Sequence, residues 1–140
     1  MSEEGTVARA RIEEIQPLGI EYKCESTAAG TAVEPALPSG ALFWIARTAG
    51  GDDMGYAAGT LRPEGLVLGP VYVKPEHRRS GVGMRLLKEI ERWASGARIP
   101  LVEVSVAFDN EPGRRFLERA GYAARRVLMV RTGQDDGGQS

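Results

Sequence analysis

The sequence is poor in the side chains that form disulfides and bind metals. It contains one cysteine, Cys24, and one histidine, His77. A single cysteine cannot form a disulfide within the chain, and one histidine alone gives no metal-ligand spacing. We therefore expect no disulfide framework and no metal site, and a reducing cytoplasm is the expected location.

The sequence also lacks an excess of one charge and any long apolar run. It has 18 Lys and Arg against 19 Asp and Glu, for a net charge of −1. This balance argues against a nucleic-acid-binding protein that relies on bulk charge. No apolar stretch approaches the length of a membrane span, and residues 1–6 are acidic rather than basic and then apolar. We expect neither a nucleic-acid partner, nor a membrane partner, nor secretion.

The remaining composition is that of an ordinary globular domain. Hydrophobic residues make up 42% of the chain and charged residues 26%, and 140 residues are enough to bury a core without cross-links. We predict one domain over residues 1–132. We expect the polar, glycine-rich residues 133–140 to be a disordered tail.

A strand, a glycine-containing turn and a helix form the most strongly patterned stretch of the chain. An apolar run ends at Pro75 and contains Val71, Tyr72 and Val73. The helix is predicted to begin at Gly81 and Gly83, after which apolar residues recur at helical spacing: Leu86, Leu87, Ile90, Trp93 and Ala94. It is predicted to end near Gly96.

The start of this helix is predicted to bind an anion. The first N–H groups of a helix are unpaired and lie at the positive end of its dipole. Gly81 and Gly83 leave these groups accessible, and two guanidinium groups and a hydroxyl precede them: Arg78, Arg79 and Ser80. This chemistry suits a phosphate or diphosphate better than a lone carboxylate. The simpler alternative is a glycine turn beside solvated arginines.

The turn matches neither of two common phosphate loops. It lacks Gly-Lys-Ser/Thr, and Leu86 stands where the dinucleotide fingerprint has its third glycine. The pattern Arg78-x-x-Gly81-x-Gly83, which follows a Val-x-Pro at residues 73–75, resembles the acetyl-CoA loop of the GNAT superfamily of N-acetyltransferases. An apolar strand, Asn110, Phe116 and a Gly-Tyr pair follow in the family's order, so the resemblance covers about residues 42–130.

The resemblance implies an α/β (α+β) fold of GNAT type. Such a fold has a mixed, mostly antiparallel, twisted sheet with helices on both faces. The chain's own pattern predicts strands at 7–15, 42–46, 56–61, 66–73, 101–106 and 125–131, and a helix after Asn110. Residues 16–40 have little pattern and read mostly as loop, which predicts a shortened N-terminal helical region.

Pro70 interrupts the predicted central strand. Because proline cannot donate a ladder hydrogen bond, it predicts a bulge at Gly69 and Pro70, or alternatively a kinked edge strand. A bulge would turn backbone groups of residues 71–73 toward a ligand. The resemblance implies that the pantetheine arm of acetyl-CoA lies along them.

The resemblance further implies direct transfer of an acetyl group from acetyl-CoA to a primary amine of a small molecule or peptide. The cofactor-binding residues that we carry over or infer are Val71, Tyr72, Val73, Arg78, Arg79, Ser80, Gly81, Val82, Gly83, Met84, Asn110 and Phe116. No metal is expected to take part.

The catalytic candidates are Glu103 and Ser105, which share one face of the strand at 101–106. Either could accept the amine's proton, directly or through water, although Glu103 could instead pair with an arginine at the rim. Relatives carry a tyrosine acid where this chain has Leu117, so Tyr72 or Tyr122 is the candidate replacement.

The sequence leaves two other functions open. One is a degenerate GNAT module that binds acyl-CoA as a sensor or interaction domain, and the other is a nucleotide-binding α/β domain of another family. The sequence does not identify the acceptor. Because the last predicted strand could pair with another subunit, both a monomer and a homodimer are open.

Overall fold

The computed structural model describes residues 5–28 and 41–132. They form one five-stranded sheet of order β1-β2-β3-β4-β5. The strands are β1 (Thr6–Ala10), β2 (Ala41–Arg47), β3 (Asp53–Arg62), β4 (Gly65–Val73) and β5 (Val102–Val104), and the helices are α1 (Ile12–Ala28), α2 (Val82–Gly96) and α3 (Glu111–Arg119). Only the β4–β5 pair is parallel within this described part, which confirms the mixed, mostly antiparallel sheet.

Contacts within the chain define two compact units, Met1–Ala107 and Phe108–Ser140. The first unit contains the whole sheet with α1 and α2, and the second contains α3. A single domain over residues 1–132 stays a prediction. The predicted tail, 133–140, lies outside the described residues.

The two long helices of the first unit cover opposite faces of the sheet. On one face α1 contributes to a buried cluster made of Ile15, Leu18, Phe43, Ile45, Tyr56, Ala58 and Tyr72. Successive residues of a strand point to opposite faces, so Trp44 points away from this cluster. Its ring packs edge-to-face on Trp93 of α2, with 5.6 Å between the ring centroids. These contacts confirm the prediction of helices on both faces of the sheet.

Helix α1 corrects the prediction for the N-terminal region. The strand predicted over residues 7–15 ends at Ala10, and the predicted loop is helical from Ile12 to Ala28. Residues 29–40 lie outside the described part. The early helix start has a local cause, because the carboxylate of Glu14 accepts a hydrogen bond of 2.8 Å from the backbone N–H of Arg11. This is the reciprocal half of a capping box, which satisfies a donor that a helix start leaves unpaired.

Strand β4 contains the predicted bulge. Its register with β3 shifts between Ala57 and Gly59, so that Gly69 and Pro70 together face a single residue of β3. Proline is tolerated here because the bulge breaks the ladder at this point. β4 lies between β3 and β5 in the sheet order, so it is not an edge strand over its whole length, although β5 pairs only with residues 66–68.

The two strands predicted after α2 differ from those in the structure. β5 covers only Val102–Val104, and the strand predicted over residues 125–131 is absent from the described part of the chain. The side chains from Val127 to Val130 are between 78% and 88% exposed. The local sequence has the β-branched and apolar character of a strand, but a strand also needs a neighbour for its backbone hydrogen bonds. No described strand pairs with this segment.

The packing of α2 on the sheet predicts a stability difference between two positions on this helix. Ile90 is completely buried, whereas Lys88 is exposed. We expect Ile90→Ala to lower the free energy of unfolding by about 2–5 kcal/mol, because it removes buried methylene groups and leaves a cavity. Lys88→Ala, the matched control, should change it by less than about 0.5 kcal/mol. Urea unfolding measures both, and equal losses in the two variants would contradict this packing.

Candidate functional site

Strand β4 is paired along one edge for only three of its nine residues. On that edge β5 pairs with residues Leu66 to Leu68. On the other edge β3 remains paired as far as Val73. Among the described residues, therefore, no strand covers residues 71–73 on the β5 side. We call this stretch the open edge of β4.

The backbone groups of Val73 point to the open edge. The N–H of Lys74 donates a hydrogen bond of 2.8 Å to the Met54 carbonyl of β3. In a trans peptide the carbonyl and the N–H point in opposite directions, so the Val73 carbonyl points away from β3. The N–H of a strand residue points to the same side as its carbonyl. The open edge therefore presents an N–H that can donate to the carbonyl oxygen of a ligand lying along β4.

The chain leaves β4 through a short 3₁₀ turn, Pro75–His77, and enters α2 with a left-handed residue at the helix start. Gly81 has a φ of +87°, which favours glycine, and a side chain there would meet nothing within 4 Å. No side chain caps the helix. Its first N–H groups are therefore open to a ligand, as predicted.

Arg78 connects this turn to the open edge of β4. Its Nε donates a hydrogen bond of 2.7 Å to the Val73 carbonyl. Arg79 and Ser80 are exposed beside it, and Val82 anchors the helix start with only 3% of its surface exposed. Gly83 and Met84 are half-buried. The structure thus brings together the predicted strand residues 71–73 and the predicted turn.

Two carboxylates of α1 also reach β4. The hydroxyl of Tyr72 lies 3.2 Å from Oε1 of Glu25 and 3.4 Å from Oε1 of Glu21, and it can donate to either. Arg78 donates to the same Glu25 oxygen at 2.9 Å, and the Lys74 ammonium lies 3.6 Å from Oε2 of Glu21. We call these five residues the α1–β4 polar cluster.

The protonation states in this cluster follow from its contacts. Burial, reinforced by the negative charge of Glu25, raises the pKa of Tyr72 to about 12. The hydrogen bond from Arg78 holds the pKa of Glu25 below its ordinary value. At neutral pH the cluster therefore combines a protonated phenol with an ionised carboxylate.

Glu21 and Glu25 were not among the predicted site residues, because residues 16–40 have little sequence pattern and were predicted to be mostly loop. Once α1 is known, the spacing of four residues places both carboxylates on one face of the helix. That spacing is the signal that could have identified them as a pair. Their contact with β4 spans about fifty residues of chain, and no local pattern encodes it.

The catalytic candidates Glu103 and Ser105 lie along a different part of β4. Glu103 pairs with Val67, on the covered half of the strand. At about 3.3 Å per residue, Val67 lies roughly 13 Å along the strand from Val71. Ser105 follows the end of β5 and is exposed. Their catalytic roles stay predictions.

The second unit contains the remaining predicted residues. Asn110 caps α3 as predicted, with its Oδ1 accepting a hydrogen bond of 3.1 Å from the Gly113 N–H. Phe116 is half-buried within the same helix, followed by Leu117 at the position where relatives carry a tyrosine. Binding of a cofactor by Asn110 and Phe116 stays a prediction.

Residues 5–28 and 41–132 lack the features of two other classes of site. They contain no group of three or more His, Cys, Asp or Glu side chains that could hold a metal ion. Within the same residues, no helix has the length and apolar character that crossing a membrane requires.

The chain belongs to a known enzyme family, on the evidence of its sequence. Residues 13–122 match the model of the acetyltransferase (GNAT) family, which is well over half of the chain. This confirms the resemblance seen in the glycine turn. Membership supports acyl transfer from a CoA-based donor as the general class of function. No curated protein sequence matches the chain.

Solved structures with low sequence identity share the fold. An integron cassette protein from V. cholerae has a TM-score of 0.75 at 15% identity, covering 96% of this chain and 95% of that one. Ribosomal-protein-alanine N-acetyltransferase from Brucella melitensis has a TM-score of 0.70 at 17% identity, covering 91% and 98%. AAC(6')-Iy, in complex with the bisubstrate analogue CoA-S-monomethyl-acetylneamine, has a TM-score of 0.68 at 17% identity, covering 91% and 97%.

The α1–β4 polar cluster predicts a stability effect of a single hydroxyl. At pH 7 we expect Tyr72→Phe to lower the free energy of unfolding by about 1 kcal/mol, because the hydroxyl donates a hydrogen bond to a carboxylate. Tyr22 is the control, since its ring packs on that of Tyr72 with 5.9 Å between the ring centroids, and Tyr22→Phe keeps this ring. Tyr22→Phe should have a smaller effect in urea unfolding. An unchanged free energy of unfolding in Tyr72→Phe would show that the Tyr72 hydroxyl contacts do not stabilise the fold.

Proposed function

We propose that this protein transfers an acetyl group from acetyl-CoA to a primary amine of a small molecule or peptide. One observation carries the proposal most directly: the open edge of β4 runs into an uncapped helix start, and Arg78 joins the two. A ligand with an extended arm and a diphosphate needs this combination. Family membership supports the same donor.

The helix start is proposed to hold the diphosphate. The N–H groups of Val82, Gly83 and Met84 lie at the positive end of α2, with Arg78 and Arg79 nearby in the chain. Gly81 lets the backbone approach the anion closely. For these residues, and for Ser80, we propose the cofactor-binding roles that were inferred from the sequence.

The open edge is proposed to hold the pantetheine arm and to polarise the thioester. The N–H of Val73 points to this edge and would donate to the thioester oxygen, on which negative charge develops during the attack. The amine nitrogen forms a bond to the carbonyl carbon, the carbon–sulfur bond breaks, and the sulfur leaves as a thiolate. No covalent intermediate with the protein is needed.

The proton of the amine is proposed to leave through Glu103 and Ser105, with water completing the path. A cytoplasmic amine is mostly protonated, so a route for this proton is required. Tyr72 is a poor final donor to the departing sulfur, because its pKa of about 12 lies well above the value of about 8.5 typical of a thiol. We propose that Tyr72 supplies a hydrogen bond and that the proton comes from water or from the attacking amine.

Two structural neighbours support amines as acceptors. The AAC(6')-Iy complex contains a bisubstrate analogue of an acetylated small molecule, and the Brucella melitensis protein is named for acetylation of an alanine of ribosomal protein. Acceptors of both kinds are therefore the first to test. We propose the cytoplasm as the location, because the exposed Cys24 suits a reducing compartment.

A module that binds acyl-CoA without turnover is the second candidate function. The observation in its favour is that Leu117 replaces the proton-donating tyrosine while Glu103 faces the covered half of β4. Release of free thiol from acetyl-CoA in the presence of a panel of amines supports the enzyme. Stabilisation by CoA with no turnover on any amine supports the binding module.

Substitution of Gly81 tests the diphosphate site. We expect Gly81→Asp to weaken CoA binding at least about tenfold relative to Gly81→Asn, because it adds a negative charge where the anion lies. The asparagine variant is the matched control, since Asp and Asn have similar shape and both tolerate a positive φ. Isothermal titration calorimetry with CoA measures the difference. Equal affinities in the two variants would remove the helix start from the site.

Substitution of Glu103 tests the proposed proton route. If its carboxylate accepts the proton, Glu103→Gln should change the pH dependence of turnover and lower kcat about 10²-fold or more. Glu64→Gln, in the exposed turn between β3 and β4, is the control. A pH profile of Glu103→Gln that superimposes on the wild type would eliminate Glu103 as the base.

A further inference from the structure

Arg78 is engaged by protein groups at the end of β4. Its Nε donates to the Val73 carbonyl at 2.7 Å, and its NH2 group donates to Glu25 at 2.9 Å. The centre of its guanidinium lies 5.5 Å from the centroid of the Tyr72 ring. These three contacts hold the guanidinium against the open edge of β4.

This position conflicts with the binding mode of the proposed function, on which the present inference rests. A pantetheine arm along the open edge would compete with Arg78 for the Val73 carbonyl. The diphosphate would compete with Glu25 for the guanidinium. A diphosphate carries more charge than one carboxylate, and a planar guanidinium can bind two of its oxygens at once.

The ion pair between Arg78 and Glu25 is weak enough for Arg78 to exchange Glu25 for another anion. The side chains of Arg78 and Glu25 are 41% and 44% exposed, and exposed ion pairs contribute little to stability because solvent screens them. Arg78 also lies close to the proposed diphosphate site along the chain, three residues before Gly81. Loss of the guanidinium from Glu25 is therefore compatible with an intact fold.

Removal of Arg78 leaves the cluster with an excess of negative charge. Among the described residues, Glu21 and Glu25 would then face one cation, the ammonium of Lys74, which lies 3.6 Å from Glu21 and also 3.7 Å from Glu76. Tyr72 would keep its proton and could donate only one hydrogen bond at a time. Glu25 would have no cationic partner among the described residues.

We propose that Arg78 is shared between Glu25 in the empty protein and the diphosphate of CoA in the loaded one, so that cofactor binding uncovers Glu25, beside Glu21, for an acceptor with a second positive charge. The acceptor is then a diamine or another amine that carries a cationic group beside the reacting nitrogen. The reacting amine loses its proton, while the second group stays charged and binds the carboxylates. Glu25 is in this way a specificity-determining residue.

The first experiment measures CoA affinity by calorimetry in the wild type and in Glu25→Gln. The glutamine cannot form the ion pair, so Arg78 is available from the start. We expect binding of CoA about threefold to fivefold tighter, which corresponds to about 0.6–1 kcal/mol. Glu13→Gln is the matched control, because it makes the same change of net charge on an exposed residue of α1 that lies near Arg11 rather than Arg78.

The control separates a local effect from a general one. Equal tightening in Glu25→Gln and Glu13→Gln would overturn the proposal, since bulk charge alone would then explain it. Unchanged affinity in Glu25→Gln would also overturn it. In an Arg78→Gln background, Glu25→Gln should no longer tighten CoA binding relative to Arg78→Gln alone, and tightening that persists in that background would contradict the sharing of Arg78.

The second experiment compares 1,4-diaminobutane with n-butylamine at saturating acetyl-CoA. These acceptors have the same chain length and differ in one amine. We expect the wild type to favour the diamine in kcat/KM by about fivefold or more, mainly through KM. In Glu25→Gln the preference should fall toward the factor of about two that arises because the diamine has two reactive ends. An equal preference in both proteins would overturn the role of Glu25 in acceptor choice.

These outcomes are distinguishable from a failure of the proposed function. If the wild type neither binds CoA nor releases thiol with any amine, the acetyltransferase assignment is wrong and the shared role of Arg78 is overturned with it. If the wild type binds CoA and turns over butylamine and diaminobutane equally, the enzyme assignment holds and the inference about the second charge is wrong.

Discussion

The unequal pairing of the two edges of β4 is the constraint on which the site depends. β3 stays hydrogen-bonded along almost the whole strand, whereas β5 leaves it after Leu68. The bulge at Gly69 and Pro70 lies where the two halves of β4 meet. One edge therefore holds the strand in the sheet, whereas residues 71–73 have no strand partner on the other edge among the described residues.

The centre of the chain could be predicted from sequence because its signals are local and agree with each other. Apolar spacing, Pro70 and the glycines at 81 and 83 each identify one feature, and the structure has the strand, bulge, turn and helix in that order. The fold itself was predicted from the resemblance of the glycine turn and the following motifs to the GNAT family. These features need no knowledge of distant contacts, which explains why they were read correctly.

The errors occurred where distant contacts decide the outcome. The alternating residues 7–15 look like one strand, yet a helix begins at Ile12. The apolar residues of this helix pack on β2 and β3. The apolar residues 127–130 look like a strand but lack a paired neighbour in the described part of the chain. The carboxylates at 21 and 25 went unrecognised because their partners lie far along the sequence. Pairing and long-range charge contacts are properties of the folded chain.

The contact between Trp44 and Trp93 has a practical consequence. These are the two tryptophans of the chain, and their rings pack together between β2 and α2, on the sheet face opposite Tyr72. The intrinsic indole fluorescence therefore reports on the layer between β2 and α2. The guanidinium of Arg9 lies within 6 Å of both ring centroids. Its emission should follow separation of the helix from the sheet and respond little to events on the tyrosine-bearing side, which makes denaturation and ligand titrations optically separable.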